Sequence, residues 1–166
     1  RTLTKTEPPG GICRQYHGRT VTILRGGLAR GQLIGGNLSV LCALLGTLWQ
    51  PLFRRKILFL EEVNEAPYRI DRMLTQLLNA GLLQQVAGVA IGLCHGCSES
   101  VTPLSPGDFR QSLMDVLRER LLPLKIPVVT GLPFGHVAVN ATLPVGLTVT
   151  LDGGVGDILV STPAVC

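Results

Sequence analysis

Charged residues are scarce in this 166-residue chain, at 16%, and aromatic residues scarcer still, at 4%. Proteins that grip nucleic acid commonly interleave basic and aromatic side chains. Here the one basic cluster, Arg54-Arg55-Lys56, has only Phe53 for company. It reads as a solvated turn ahead of a strand, and the net charge of +4 is otherwise scattered. No nucleic-acid partner is expected. Long hydrophobic runs are also missing. The stretch from Val40 to Leu45 is far shorter than the roughly 20 apolar residues that cross a bilayer, so no membrane partner is expected either. No secretory leader pattern is visible. The chain opens at Arg1, inside a polar stretch that includes Pro8-Pro9-Gly10-Gly11. Residues 1–18 therefore read as a linker or domain edge, and the whole as a fragment of a longer protein.

A cysteine framework is absent too. Five cysteines is an odd count, and Cys13, Cys42 and Cys166 show no paired spacing. Cys94-His95-Gly96-Cys97 is a single CxxC, whereas a structural zinc site needs four ligands. His17, Cys13 and Cys166 offer no second pair, and Ser98-Glu99-Ser100 reads as loop rather than the helix that follows a redox CxxC. Neither a metal nor a redox role is expected, and unpaired cysteines fit a reducing compartment.

A serine nucleophile is missing as well. No Gly-x-Ser-x-Gly elbow occurs. Ser39 falls in an apolar helix pattern, Ser98 and Ser100 in a polar loop, Ser105 at a helix cap, Ser112 on a helix surface and Ser161 near the tail. If the chain takes part in acyl transfer, the nucleophile and the oxyanion hole come from elsewhere.

What is present is aliphatic. Hydrophobic residues make up 46% of a chain long enough to bury a real core. Thr20 to Leu24 and Gln32 to Ile34 read as strands, and Asn37 as the N-cap of a helix carrying Leu38, Leu41, Leu44 and Leu45 and closed by Gly46. Ile57 to Leu60 is an unbroken apolar run, as in a strand covered on both faces. Pro67 starts a helix with Ile70, Met73, Leu74, Leu77 and Leu78 on one stripe, ended by Gly81. Val86 to Leu93 and Ile126 to Thr130 read as further buried strands. Between them Ser105-Pro106-Gly107-Asp108 predicts a cap for a helix with Phe109, Leu113, Val116 and Leu117 on its apolar face. Two tail strands, Leu147 to Leu151 and Ile158 to Ser161, join through Gly153-Gly154. Alternating strands and helices predict an α/β domain over residues 19–166, with a mostly parallel central sheet and added hairpin strands.

In such sheets the working crevice lies beyond the carboxyl ends of the strands. Two predicted ends carry titratable residues: Glu61 after Ile57–Leu60, and His136 a short loop after Ile126–Thr130. A carboxylate that accepts the imidazole Nδ1–H fixes the tautomer, stabilises the imidazolium and leaves Nε2 to take a proton. Glu61 and His136 are thus candidate catalytic residues, beside the plainer reading of His136 as a polar residue of a Gly-flanked loop.

Three segments, in order, resemble the LD-carboxypeptidases of the S66 serine peptidase class. They are Gly35-Gly36-Asn37-Leu38, the stretch from Ile57-Leu58-Phe59-Leu60-Glu61-Glu62 through Glu65-Ala66-Pro67-Tyr68-Arg69-Ile70-Asp71-Arg72-Met73-Leu74, and Gly131-Leu132-Pro133-Phe134-Gly135-His136 with Asn140-Ala141-Thr142-Leu143-Pro144-Val145-Gly146. The resemblance implies a C-terminal domain similar to a swivelling β/β/α domain. It implies a Ser-His-Glu triad whose Glu falls on Glu61 and whose His falls on His136. The Ser would lie in an N-terminal domain, within a Gly-aromatic-Ser-Asp turn that this chain lacks. Glu62 stands where the family commonly has Asp, and strand alternation sends Glu61 and Glu62 to opposite faces; Glu61 is the favoured member. Glu65, Tyr68, Arg69 and Asp71 are expected to hold the helix and the domain interface. Complete members remove the terminal D-Ala of a murein tetrapeptide during cytoplasmic cell-wall recycling, without metal or organic cofactor, and dimers occur. Two alternatives stand beside this reading: an amidase like the microcin C self-immunity proteins, and a non-catalytic binding module.

Overall fold

The computed structural model describes residues 7–14, 16, 21–98, 111–138 and 140–163. Among these residues eight strands form one sheet: β1 (Gly10–Gly11), β2 (Thr22–Arg25), β3 (Leu28–Asn37), β4 (Ile57–Glu61), β5 (Gly88–Ile91), β6 (Val128–Thr130), β7 (Thr148–Asp152) and β8 (Asp157–Val160). Their order across the sheet is β1-β8-β7-β3-β4-β5-β6-β2. β3 to β6 are parallel neighbours, while β7, β8 and β1 extend one side and β2 closes the other by antiparallel pairing. The helices are α1 (Leu38–Ala43), α2 (Pro67–Asn79) and α3 (Leu113–Leu121). This is the expected mixed α/β class, with parallel strands at the centre and hairpin strands added.

β3 joins the two halves of the sheet. Its residues 28–32 pair with β7, and residues 33–37 with β4. The sequence suggested only a short strand at Gln32 to Ile34, because its glycines and polar residues carry no strand signal. Gly35 shows what they are for. Its φ is +138°, and a Cβ there would overlap the Phe59 carbonyl of β4, so only glycine permits this approach.

Side-chain alternation then builds three layers. Ile57 and Phe59 of β4, Ala90 of β5 and Val129 of β6 pack against Val149, Leu151, Ile158 and Val160 of the β7–β8 hairpin. Leu58, Leu60, Val89, Ile91 and Val128 turn the other way, onto Leu41 of α1, Ile70, Leu74 and Leu77 of α2, and Val116, Leu117 and Leu121 of α3. The result is β/β/α, the layering of the swivelling domain. Each fully buried aliphatic contributes roughly 1.5–3 kcal/mol.

The helix ends follow local chemistry. Asn37 caps α1, its Oδ1 accepting the Val40 N–H at 3.1 Å. Pro67 opens α2, and Gly81, at φ +69°, follows its C-cap Ala80. α3 starts later than the Phe109 stripe suggested. Ser112 is its N-cap, in a capping box with Asp115, rather than a surface residue of the helix interior. The cap predicted at Ser105 to Asp108 lies outside the described residues. Asp71 of α2 and Arg120 of α3 form a two-pronged ion pair at 2.5 and 3.0 Å. Arg69 in the first turn of α2 pairs at 3.3 Å with Glu65, just ahead of the helix, while Tyr68 is exposed.

Within the stretch suggested as linker or edge, Gly10–Gly11 pairs with β8 as the edge strand, and Ile12 and Cys13 are buried. Asp157 explains the docking: its Oδ1 accepts the Cys13 N–H at 2.8 Å. A polar, glycine-rich segment carries no sequence signal for such a contact.

Candidate active site

Parallel strands put their carboxyl ends on one edge, and three of those ends converge here. β4 ends at Glu61, one residue before Glu62. Beyond β5, Leu93 bridges to Gly135, and its N–H donates to the Phe134 carbonyl at 2.8 Å. That extension of the ladder carries the loop after β6 over the end of β4. His136 is thereby set beside Glu61, Nδ1 to Oε2 2.9 Å, although the two residues are 75 positions apart. Beside a carboxylate the neutral ring keeps its proton on Nδ1 and donates it, which leaves Nε2 as the acceptor.

The two partners differ in exposure. The Glu61 side chain is 11% exposed and the His136 side chain 59%. A carboxylate set in the sheet edge thus anchors an imidazole that reaches into solvent. Both line an open cleft of about 490 Å³. Phe59 and Phe134 form one wall, their rings edge to face at 5.9 Å between centroids. Gly36, Asn140, Ala141 and Leu143 complete the lining. Gly135 makes the turn at φ +116°, where a Cβ would come 2.9 Å from the Leu93 carbonyl and 3.2 Å from Glu61 Cβ.

Glu62 occupies the opposite face. Its carboxylate accepts the Asn37 Nδ2–H at 2.7 Å, the Ser39 N–H at 2.8 Å, the Ser39 Oγ–H at 2.6 Å and the Val63 N–H at 2.9 Å. Burial raises its pKa, but the bonds from Ser39, Val63 and Asn37 together outweigh that and hold it below the ordinary carboxylate range. It clamps the start of α1 to the end of β4. Sequence reading missed this clamp, although one of its partners, Asn37, lies in the Gly-Gly-Asn-Leu segment and Ser39 follows it directly. It also missed Asn140 and the Phe59–Phe134 wall, because nothing in one sequence says which apolar residues a loop will meet.

The serines of the described residues lie away from the cleft lining. Ser39 serves Glu62, Ser112 caps α3, and Ser98 and Ser161 are exposed. Cys94 and Cys97 are free thiols. Burial pushes Cys94 up to about 12, with the neighbouring Cys97 adding to it, so neither sulfur is primed as a nucleophile. Among the described residues no group of three or more His, Cys, Asp or Glu side chains could hold a metal ion. No helix of these residues is long and apolar enough to cross a membrane.

Known proteins share this arrangement of segments. Residues 30–151 match the model of the LD-carboxypeptidase C-terminal domain, of peptidase family S66. A Synechocystis protein named as a carboxypeptidase is 50% identical over 133 residues, covering 80% of this chain and 42% of the relative. The murein tetrapeptide carboxypeptidase of Pseudomonas aeruginosa is 34% identical over 126 residues, 74% of this chain and 38% of its own length. Among solved structures, a muramoyltetrapeptide carboxypeptidase from Oxalobacter formigenes superposes with a TM-score of 0.71 at 34% identity, covering 90% of this chain and 53% of that one. The microcin C7 self-immunity protein MccF superposes at 0.74 with 26% identity, covering 89% and 42%. The chain thus spans about two-fifths of the length of the curated relatives it matches. Family model, relatives and fold agree, and the chain belongs to the LD-carboxypeptidase family through that family's C-terminal domain.

Proposed function

We propose that this chain supplies the Glu and His of a Ser-His-Glu triad in an enzyme that hydrolyses the terminal L-to-D amide bond of murein tetrapeptides and releases D-Ala. The observation that carries the reading is the 2.9 Å contact between Glu61 Oε2 and His136 Nδ1 at the edge of a cleft. The nucleophilic Ser belongs, in this reading, to an N-terminal domain that faces the cleft. His136 Nε2 takes the Ser proton as the oxygen attacks the amide carbon, then returns it to the departing D-alanine nitrogen. Water repeats the cycle on the acyl-enzyme. Glu61 offsets the positive charge that appears on the ring at each transfer and keeps Nε2 directed to the reaction. The names of the Pseudomonas and Oxalobacter relatives support the murein peptide as substrate. A cytoplasmic, cofactor-independent enzyme that can dimerise completes the reading.

A second reading shares the triad and changes the acyl group. MccF has been solved in complex with aspartyl sulfamoyl adenosine, and its likeness to this chain is as close in fold as that of the carboxypeptidase. One experiment separates the two. The full-length enzyme is incubated with murein tetrapeptide and, separately, with aspartyl sulfamoyl adenosine, and the products are followed by mass spectrometry. Release of D-Ala supports the carboxypeptidase, cleavage of the sulfamoyl compound alone supports the immunity-type amidase, and no turnover of either overturns both.

A further inference from the structure

The His136 ring is more than half exposed, and its contact to Glu61 fixes only one side of it. A loop imidazole held at a single atom can still swing about its side-chain torsions. The backbone beneath must therefore be pinned if Nε2 is to keep one direction. The loop carries such a pin. Asn140 donates its Nδ2–H to the Gly135 carbonyl at 2.8 Å, and that carbonyl also accepts the Val137 N–H at 2.9 Å. The Gly135 carbonyl belongs to the peptide unit that joins Gly135 to His136. Fixing this oxygen fixes the plane from which the His136 side chain leaves. One residue further on, the Ala141 N–H donates to the Pro133 carbonyl at 2.6 Å, so the far end of the loop is tied back to its start. Glycine makes the bond necessary. At φ +116° Gly135 has more backbone freedom than any other residue type, and Asn140 restrains that freedom where it matters.

We infer that Asn140 is a positioning residue, whose side-chain amide orients His136 through the Gly135 carbonyl. The inference rests on the triad reading above. Asn140 also lines the cleft, so a direct contact with substrate is the competing role. The two differ in what they move. A positioning residue acts on the chemical step, because a misplacement of about 1 Å can cost on the order of 10² in rate. A substrate contact acts on KM.

The test uses the full-length enzyme with Asn140→Ala, Asn140→Asp and His136→Ala. Asn140→Asp keeps the shape but replaces the N–H donor with an acceptor that repels the Gly135 carbonyl. The expected result is a fall in kcat of about 10- to 100-fold for both Asn140 variants, with KM within about threefold of the parent. The downfield proton resonance of the His136 Nδ1–H should broaden or vanish in both, since the ring no longer holds one position against Glu61. Equal kcat in parent and Asn140→Asp overturns the role of the donor. A loss expressed in KM with kcat retained makes Asn140 a substrate contact and overturns the inference. An active His136→Ala overturns the triad itself, a separate result from either of these.

Discussion

Glu61 and Glu62 are neighbours in sequence whose carboxylates serve opposite faces of the sheet. Glu61 Oε2 lies 2.9 Å from His136 Nδ1, while Glu62 accepts bonds from Asn37, Ser39 and Val63. The pleat of β4 produces the division: odd-numbered Ile57 and Phe59 face the hairpin layer, even-numbered Leu58 and Leu60 the helices. The two residues therefore answer to different measurements.

Glu61→Gln in the full-length enzyme should lower kcat on the order of 10⁴-fold, the loss seen when a triad Asp becomes Asn. The amide keeps the shape but cannot offset the charge on His136 and can select the wrong tautomer. The melting temperature should barely move, because the Glu61 carboxylate bonds to the exposed His136 ring and lies at the cleft edge. Steady-state kinetics beside thermal unfolding checks both. Near-normal turnover in this variant, with Glu62→Gln inactive yet folded, would shift the assignment by one residue.

Glu62→Gln should cost stability instead, about 1–3 kcal/mol, since an amide nitrogen would face N–H and O–H donors. The cost should depend on pH. Because the folded carboxylate titrates below its ordinary value of 4.5, its contribution is present above that pH and lost as pH falls through the folded value. Urea unfolding of parent and variant should therefore give curves that are separate at pH 7 and converge in acid. A gap that widens on acidification contradicts the clamp.

Replacing Gly135 with alanine should damage the enzyme although neither Glu61 nor His136 is itself changed. The new Cβ meets the Leu93 carbonyl at 2.9 Å and Glu61 Cβ at 3.2 Å, and φ +116° strains any L side chain. A cost of about 1–3 kcal/mol is expected from the backbone alone. The measurement is urea unfolding together with kcat at 25 °C. Full stability and full turnover would mean that the loop relaxes freely.

The 166-residue chain by itself should release no measurable D-Ala from a murein tetrapeptide. Loss of a triad nucleophile costs roughly 10⁶ in kcat in a well-measured serine protease. The assay is mass spectrometry of the peptide after long incubation, against the full-length enzyme. Robust release by the chain alone would place the nucleophile within it.

Much of the fold was legible from local pattern. The unbroken apolar run of β4, the stripe of α2 between Pro67 and Gly81, and the glycine-joined tail strands all read correctly, because burial on one or two faces imposes its own period. Three features did not read. β3 hid among glycines, Ile12 and Cys13 sat in a polar stretch, and Ser112 capped a helix expected to start earlier. For the first two the deciding contact is made with a distant partner, Phe59 or Asp157; for Ser112 it is local, the capping box with Asp115, which competed with an equally plausible cap signal upstream.

The candidate site divides in the same way. Residue types and strand ends pointed to Glu61 and His136, since a carboxylate and an imidazole at the carboxyl ends of parallel strands have a crevice in common, and the resemblance of their segments to a known family chose them. Only the tertiary structure brought them to 2.9 Å, by the Leu93–Gly135 bridge that carries one loop over another strand. It also assigned Glu62 to the helix layer and Asn140 to the Gly135 carbonyl. Periodicity is written in neighbouring residues and survives in one dimension. The pairing of side chains 75 positions apart depends on which strands lie side by side, and that is settled by the packing of the whole core.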